Sequence, residues 1–180
     1  MVDLECQSVP ATRKNLDLFL KRLRVEVTYP DSRGSRKHRT GLDHYGKSCT
    51  LKEMEALFSG VRRSSFLYHL EIQPDDEVPG LYDLETLVRD TLSSLTWSSH
   101  LWVAVLHPSH GLFPHAHVFM TGPELTRQQL AEIRDDAQTS WDRAVKLWDE
   151  IVADAEARDQ AFFAALHEMS DQAQPSSNEA

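Results

Sequence analysis

The apolar residues of the chain follow two periods, helical and alternating, and the changes between them mark its elements. Leu16, Phe19, Leu20 and Leu23 recur at helical spacing with Lys21, Arg22 and Arg24 between them, which predicts a helix over Ala11–Val25. Val25-Glu-Val-Thr-Tyr29 reads as a short strand ended by Pro30. Asp31–Lys47 is polar, basic and glycine-containing, the composition of a loop. Thr50-Leu-Lys-Glu53 has the pattern of a capping box and opens a short helix that Gly60 ends. Phe66–Ile72 reads as a strand, closed by Pro74 and the acidic turn Asp75-Asp76-Glu77. Asp83 stands at the cap of a helix whose apolar stripe is Leu84, Leu87, Val88, Thr91, Leu92 and Leu95. Two strands follow, Leu101–His107 and His115–Met120, separated by a loop that holds Pro108, Gly111 and Pro114. Thr126-Arg-Gln-Gln129 opens a long helix with a narrow seam of Trp141, Val145, Trp148 and Val152, continuing through Phe162, Phe163 and Leu166. This order predicts an α+β domain with an antiparallel central sheet, helices packed on one face, and a long C-terminal helix.

At 180 residues the chain is long enough for one domain with a real core. The pattern divides it into a domain over 1–125, a helical segment over 126–169 and a polar, disordered tail over 170–180. No apolar run approaches a membrane span, and Met1–Pro10 lacks a signal-peptide pattern. Cys6 and Cys49 are far apart and in no metal spacing, which points to reduced thiols in a cytoplasmic protein. The net charge of −9 is unevenly spread: residues 1–65 carry 13 Lys/Arg against 8 Asp/Glu, and the remainder carries 6 against 20. Basic residues are densest at Arg33, Arg36, Lys37 and Arg39, which makes this stretch the expected phosphate-contacting surface.

His107, His110, His115 and His117 fall within eleven residues. In a strand from His115, the side chains of His115, His117 and Phe119 share one face, and Ala116, Val118 and Met120 share the other. If the preceding strand returns as a hairpin, His107 joins His115 and His117 as a third ligand of one divalent cation, Mg²⁺ or Mn²⁺. His110 is expected in the loop, and His69 on the first strand as a sheet-face histidine or a support of the cluster.

Phe66–Leu125 resembles the nuclease domain of conjugative and mobilisation relaxases, a branch of the histidine–hydrophobic–histidine (HUH) endonucleases. The likeness lies in the ordered text Phe66–Ile72, Pro74–Glu77, Leu84–Leu95, Leu101–His107 and Pro114-His115-Ala116-His117-Val118-Phe119-Met120. The helix text Val88-Arg-Asp-Thr-Leu92 and the run Trp102-Val-Ala-Val105 are also similar. The resemblance implies an HUH-like fold over 1–125 and His107, His115 and His117 as metal ligands. It further implies metal-dependent nicking and strand transfer on single-stranded DNA through a phosphotyrosyl intermediate. The setting would be plasmid or mobile-element mobilisation, alongside other mobilisation proteins. The family's nucleophilic tyrosine lies upstream; here Phe19 stands in the nearest local text, Leu18-Phe-Leu-Lys-Arg22, and Tyr29 and Tyr45 are the upstream alternatives. A DNA-binding relative without a nucleophile, assisting a complete relaxase, is the second expectation.

Overall fold

The computed structural model describes residues 1–30, 36–74, 84–95, 99–107 and 114–172. Its centre is a six-stranded, fully antiparallel sheet of β1 (Val2–Pro10), β4 (Gly41–Asp43), β5 (Ser48–Cys49), β6 (Phe66–Pro74), β7 (Leu101–His107) and β8 (His115–Gly122). The spatial order is β1-β6-β8-β7-β4-β5. A separate two-stranded ribbon pairs β2 (Thr28–Pro30) with β3 (Arg36–His38). The helices are α1 (Arg13–Val27), α2 (Leu51–Phe58), α3 (Leu84–Thr91) and α4 (Arg127–Gln172).

Helices cover both faces of the sheet, where the pattern predicts one. On one side Tyr68, Leu70, Ile72, Trp102, Ala104, Ala116, Val118 and Met120 pack on Leu84, Leu87 and Val88 of α3 and on Ile133, Ala137 and Trp141 of α4. On the other, Leu67, Val103, Val105 and Phe119 pack on Phe19, Leu23 and Val27 of α1 and on Met54 and Phe58 of α2. The cause is visible in β7: Trp102, Val103, Ala104 and Val105 are apolar without alternation and all buried, so both faces require a cover.

Local chemistry sets the helix starts. Thr12 Oγ1 accepts the Asn15 amide of α1 at 3.2 Å. Thr50 and Glu53 form the expected capping box on α2. Thr126 and Gln129 exchange the equivalent pair of bonds ahead of α4, at 3.1 and 2.9 Å. The expected Asp83 cap lies outside the described residues. At the other end of α1 the structure departs from the pattern. Val25 and Glu26 are not in a strand; the helix runs on to Val27, which is completely buried beside Leu23. Burial of Val27 outweighs the modest helix penalty of its β-branched side chain.

The stretch read as a loop over 31–47 holds β3 and β4 and leads into β5, with residues 31–35 outside the described part. The seam of α4 is Ile133, Ala137, Trp141 and Ala144, while Trp148 and Val152 face solvent. Packing on the sheet therefore ends near Val145; the 46-residue helix runs on to Gln172 and is exposed from Val152 through His167. The expected tail thus begins inside the helix, and 173–180 lie outside the described residues. No described helix is long and apolar enough to cross a membrane.

Candidate metal centre

The three central strands build the site. β7 and β8 pair so that His107 lies directly across from His115, and His117 across from Val105. The His107 and His115 rings stack with centroids 4.8 Å apart, and His117 stands edge-on to both at 5.1 Å. One ring nitrogen from each lies within 4.8 Å of the other two. Nitrogens bound to one ion at about 2.1 Å sit about 3.4 Å apart, so small ring rotations close the set. His115 and His107 are partly buried, and His117 is 6% exposed. The face is the one shared by α1, with Phe119 next along β8 packed edge-to-face on Phe19 at 5.3 Å.

Neighbouring groups orient His117. From β6, the His69 Nε2 lies 3.1 Å from His117 Nδ1, and the Glu71 carboxylate lies 3.8 Å from the same nitrogen. The other nitrogen, Nε2, faces the Glu26 carboxylate of α1 at 3.3 Å. That carboxylate is also 3.9 Å from His107 Nε2. If Nε2 takes the cation, Nδ1 carries the proton and donates it to His69, which then holds its own proton on Nδ1. Burial, reinforced by the surrounding imidazoles and Arg22, pushes His117 down to about 3. Burial, with Arg22, pushes His69 down to about 4. Both rings are therefore neutral near pH 7, the form that binds metals. Burial acts the other way on the Glu26 carboxyl and raises it, against the pull of Arg22 and with a push from Glu71.

No family model, curated protein or solved structure matches the chain. The donor set fits a divalent transition ion: nitrogen donors, neutral when buried, with a carboxylate at hand.

The other anticipated site residues fall in different places. Tyr45 is 75% exposed in the turn after β4, and its ring lies against His44. Because Asp43 pairs with Val103, that turn continues towards Leu101, the end of β7 away from His107. The turn is held there by Arg89, which donates to the Gly46 carbonyl at 2.9 Å. Tyr45 is thus not brought to the histidines. Phe19 is a core residue between Phe58 and Phe119. Tyr68 points to the opposite face, where its hydroxyl donates to the Pro123 carbonyl and accepts from the Leu125 amide. Tyr29 lies in β2 opposite Lys37, two residues beyond the end of α1, and its side chain is outside the described part.

Of the basic stretch, Arg33 lies outside the described residues, as do the side chains of Arg36 and Lys37, whose backbone forms β3. Arg39 donates its amide to the Val27 carbonyl at 2.8 Å, so this stretch joins the end of α1 next to Glu26. Arg39, Thr40, Thr50, Leu51, Lys52 and Glu55 line an open cleft of about 420 Å³. His110 lies outside the described residues. His100 is buried away from the cluster, with its Nε2 3.0 Å from the Pro123 carbonyl.

Arg22, Glu26 and Glu71 are the functional neighbours the pattern did not single out. The signal was present in Phe19, Leu23 and Val27. Continuing that inward stripe one turn puts Glu26 beside it and Arg22 one turn earlier.

Proposed function

We propose that the protein is a relaxase-like enzyme that nicks and transfers single-stranded DNA. The observation that carries this reading is the convergence of His107, His115 and His117 on one sheet face, with His69 and Glu71 behind His117. His107, His115 and His117 hold the divalent ion, and three nitrogen donors favour Mn²⁺ over Mg²⁺. The bound ion supplies Lewis-acid polarisation of the scissile phosphate.

The chain's own groups supply the rest. Tyr29 is the nucleophile in this reading, because β2 follows α1 directly and the Glu26 carboxylate marks where that helix meets the histidines. The tyrosine oxygen bonds to phosphorus as the bond from phosphorus to the 3′ oxygen breaks. Tyrosine loses one proton and the leaving oxygen gains one, which leaves a 5′-phosphotyrosyl protein and a free 3′-hydroxyl. Arg22, whose charge acts on both His69 and His117, offers a cation to the phosphate. Arg33, Arg36, Lys37 and Arg39 track the strand electrostatically.

The test is incubation of purified protein with labelled single-stranded DNA of varied sequence and Mn²⁺, followed by denaturing electrophoresis. A labelled covalent adduct that Tyr29→Phe abolishes, with DNA affinity retained, supports the reading. DNA binding without any adduct favours the second reading, an accessory protein that keeps the fold without a nucleophile. The core position of Phe19 is the observation in its favour. Neither adduct nor DNA binding removes both.

A further inference from the structure

Helix α1 carries a carboxylate to the histidine cluster, and its geometry asks for an explanation. Glu26 lies 3.3 Å from His117 Nε2 and 3.9 Å from His107 Nε2. A charge-assisted hydrogen bond between such groups is about 2.7–2.9 Å long. Two donor atoms on one tetrahedral ion are separated by about 3.3 Å, given bond lengths near 2.0–2.1 Å. The His117 spacing is that of two atoms on a shared cation; the His107 spacing is longer, so Glu26 joins the three histidines only after a small rotamer change.

We propose that Glu26 is a fourth ligand, so that the centre is a set of three histidines and one carboxylate. This rests on the metal-binding part of the reading above and goes beyond it by adding a ligand from a different element. Three further observations support it. The Glu26 side chain is only 20% exposed, and the helix that bears it is fixed by the fully buried Leu23 and Val27. The His117 nitrogen that faces Glu26 is the one left for an ion, since Nδ1 is turned to His69. The acid also stands within electrostatic reach of His115, the remaining imidazole.

The carboxylate has chemical consequences. It lowers the net charge of an occupied centre from two to one, and it adds an oxygen donor to a nitrogen-rich set suited to Mn²⁺, Co²⁺ or Zn²⁺. With Glu26 in the set, fewer positions on a bound ion would be left for a phosphate oxygen than with the three histidines alone.

Co²⁺ is the probe for the test, because four-coordinate Co²⁺ gives intense visible bands that six-coordinate Co²⁺ lacks. The full chain, freed of metal by a chelator, is titrated with Co²⁺ and then with competing Zn²⁺. The wild type is expected to show the intense bands. Glu26→Gln should bind at least about 100-fold more weakly, beyond the usual effect of a group that merely supports a ligand, and should lose band intensity as more than one water enters and raises the coordination number. Glu26→Asp keeps the charge but withdraws the oxygen by about one bond; intermediate affinity with a shifted spectrum supports ligation. Either variant binding within about threefold of wild type with an unchanged spectrum overturns the proposal while leaving the three-histidine site standing. Failure of the wild type to bind Co²⁺, Zn²⁺ or Mn²⁺ overturns the metal centre and the nicking reading with it. The melting temperature of metal-free Glu26→Gln should match or exceed that of wild type, because a neutral amide is cheaper to bury than a carboxylate. A lower melting temperature together with retained metal affinity assigns Glu26 a purely structural role and overturns the proposal.

Discussion

Acidifying the metal-free protein from pH 7 to pH 5 should destabilise it by roughly 4 kcal/mol through His69 and His117 alone. Unfolded, each is an ordinary histidine near 6.5, about one-quarter protonated at pH 7 and almost fully protonated at pH 5. Folded, burial holds them at about 4 and about 3, so neither takes up much charge in this window. The unfolded chain therefore binds more protons, and stability is complete above 6.5 and falls as pH drops below it. Each ring contributes about 2 kcal/mol between pH 7 and 5. The groups facing His117 are Glu26 and Arg22 from α1, His107 from β7, His115 from its own strand, and His69 and Glu71 from β6. Of these, Glu26 works in the opposite direction: its raised carboxyl gains a proton earlier in the fold than in the unfolded chain, which offsets part of the loss at the acid end. His100, also lowered by burial, adds to the loss. Urea titrations in the presence of a chelator, followed by fluorescence of the buried Trp102 and Trp141, measure the change directly. His69→Gln should remove about half of it. Stabilities at the two pH values within about 1 kcal/mol of each other would instead mean that the two rings are solvated in the fold.

At pH 7, Mn²⁺ or Zn²⁺ at 100 times its dissociation constant should stabilise the wild type by about 2.7 kcal/mol in the same titration, and His115→Ala or His117→Ala should abolish the effect. Phe119→Ala, which empties a completely buried position between Phe19 and His69, should cost about 3–5 kcal/mol and loosen the cluster; a loss below 1 kcal/mol would show that α1 does not pack as described. Replacing Arg36, Lys37 and Arg39 together by Ala should weaken single-stranded DNA binding and flatten its logarithmic salt slope by about 2, measured by fluorescence anisotropy. Gly46→Ala should cost about 1 kcal/mol or more, since Gly46 has φ +76° and a Cβ there would meet the Arg89 guanidinium; an unchanged melting curve would count against the tether between that turn and α3.

The parts of the site that could be read from sequence are those whose pattern is local. The hairpin of β7 and β8 shows in two apolar runs bounded by histidines, and the strand period alone puts His115 and His117 on one face. Capping boxes at Thr50 and Thr126 are equally local. The missed features depend on partners distant in sequence. β1 is an edge strand with Asp3, Glu5 and Gln7 on its outer face, so too few apolar residues remain to announce it. Val25-Glu-Val-Thr-Tyr29 has strand composition, and only the burial of Val27 on the inward face of α1 keeps its first three residues helical. That single boundary decided whether Glu26 was seen. The unbroken apolar run of β7 did carry the message that both faces are covered, and it is the clearest signal the one-faced expectation passed over.

Strand β8 has a consequence for quality control in the cell. Its alternate residues serve two clients at once: Ala116, Val118 and Met120 fill the core under α3 and α4, and His115, His117 and Phe119 face α1. A slip of one residue against β6 or β7 would drive two imidazoles, His115 and His117, into an apolar layer and turn Val118 and Met120 towards the cluster. Such a chain would lose its core together with its site. Inactive but well-folded register isomers should therefore be rare in any preparation, and loss of metal binding caused by a β8 register error should appear as aggregation or proteolysis.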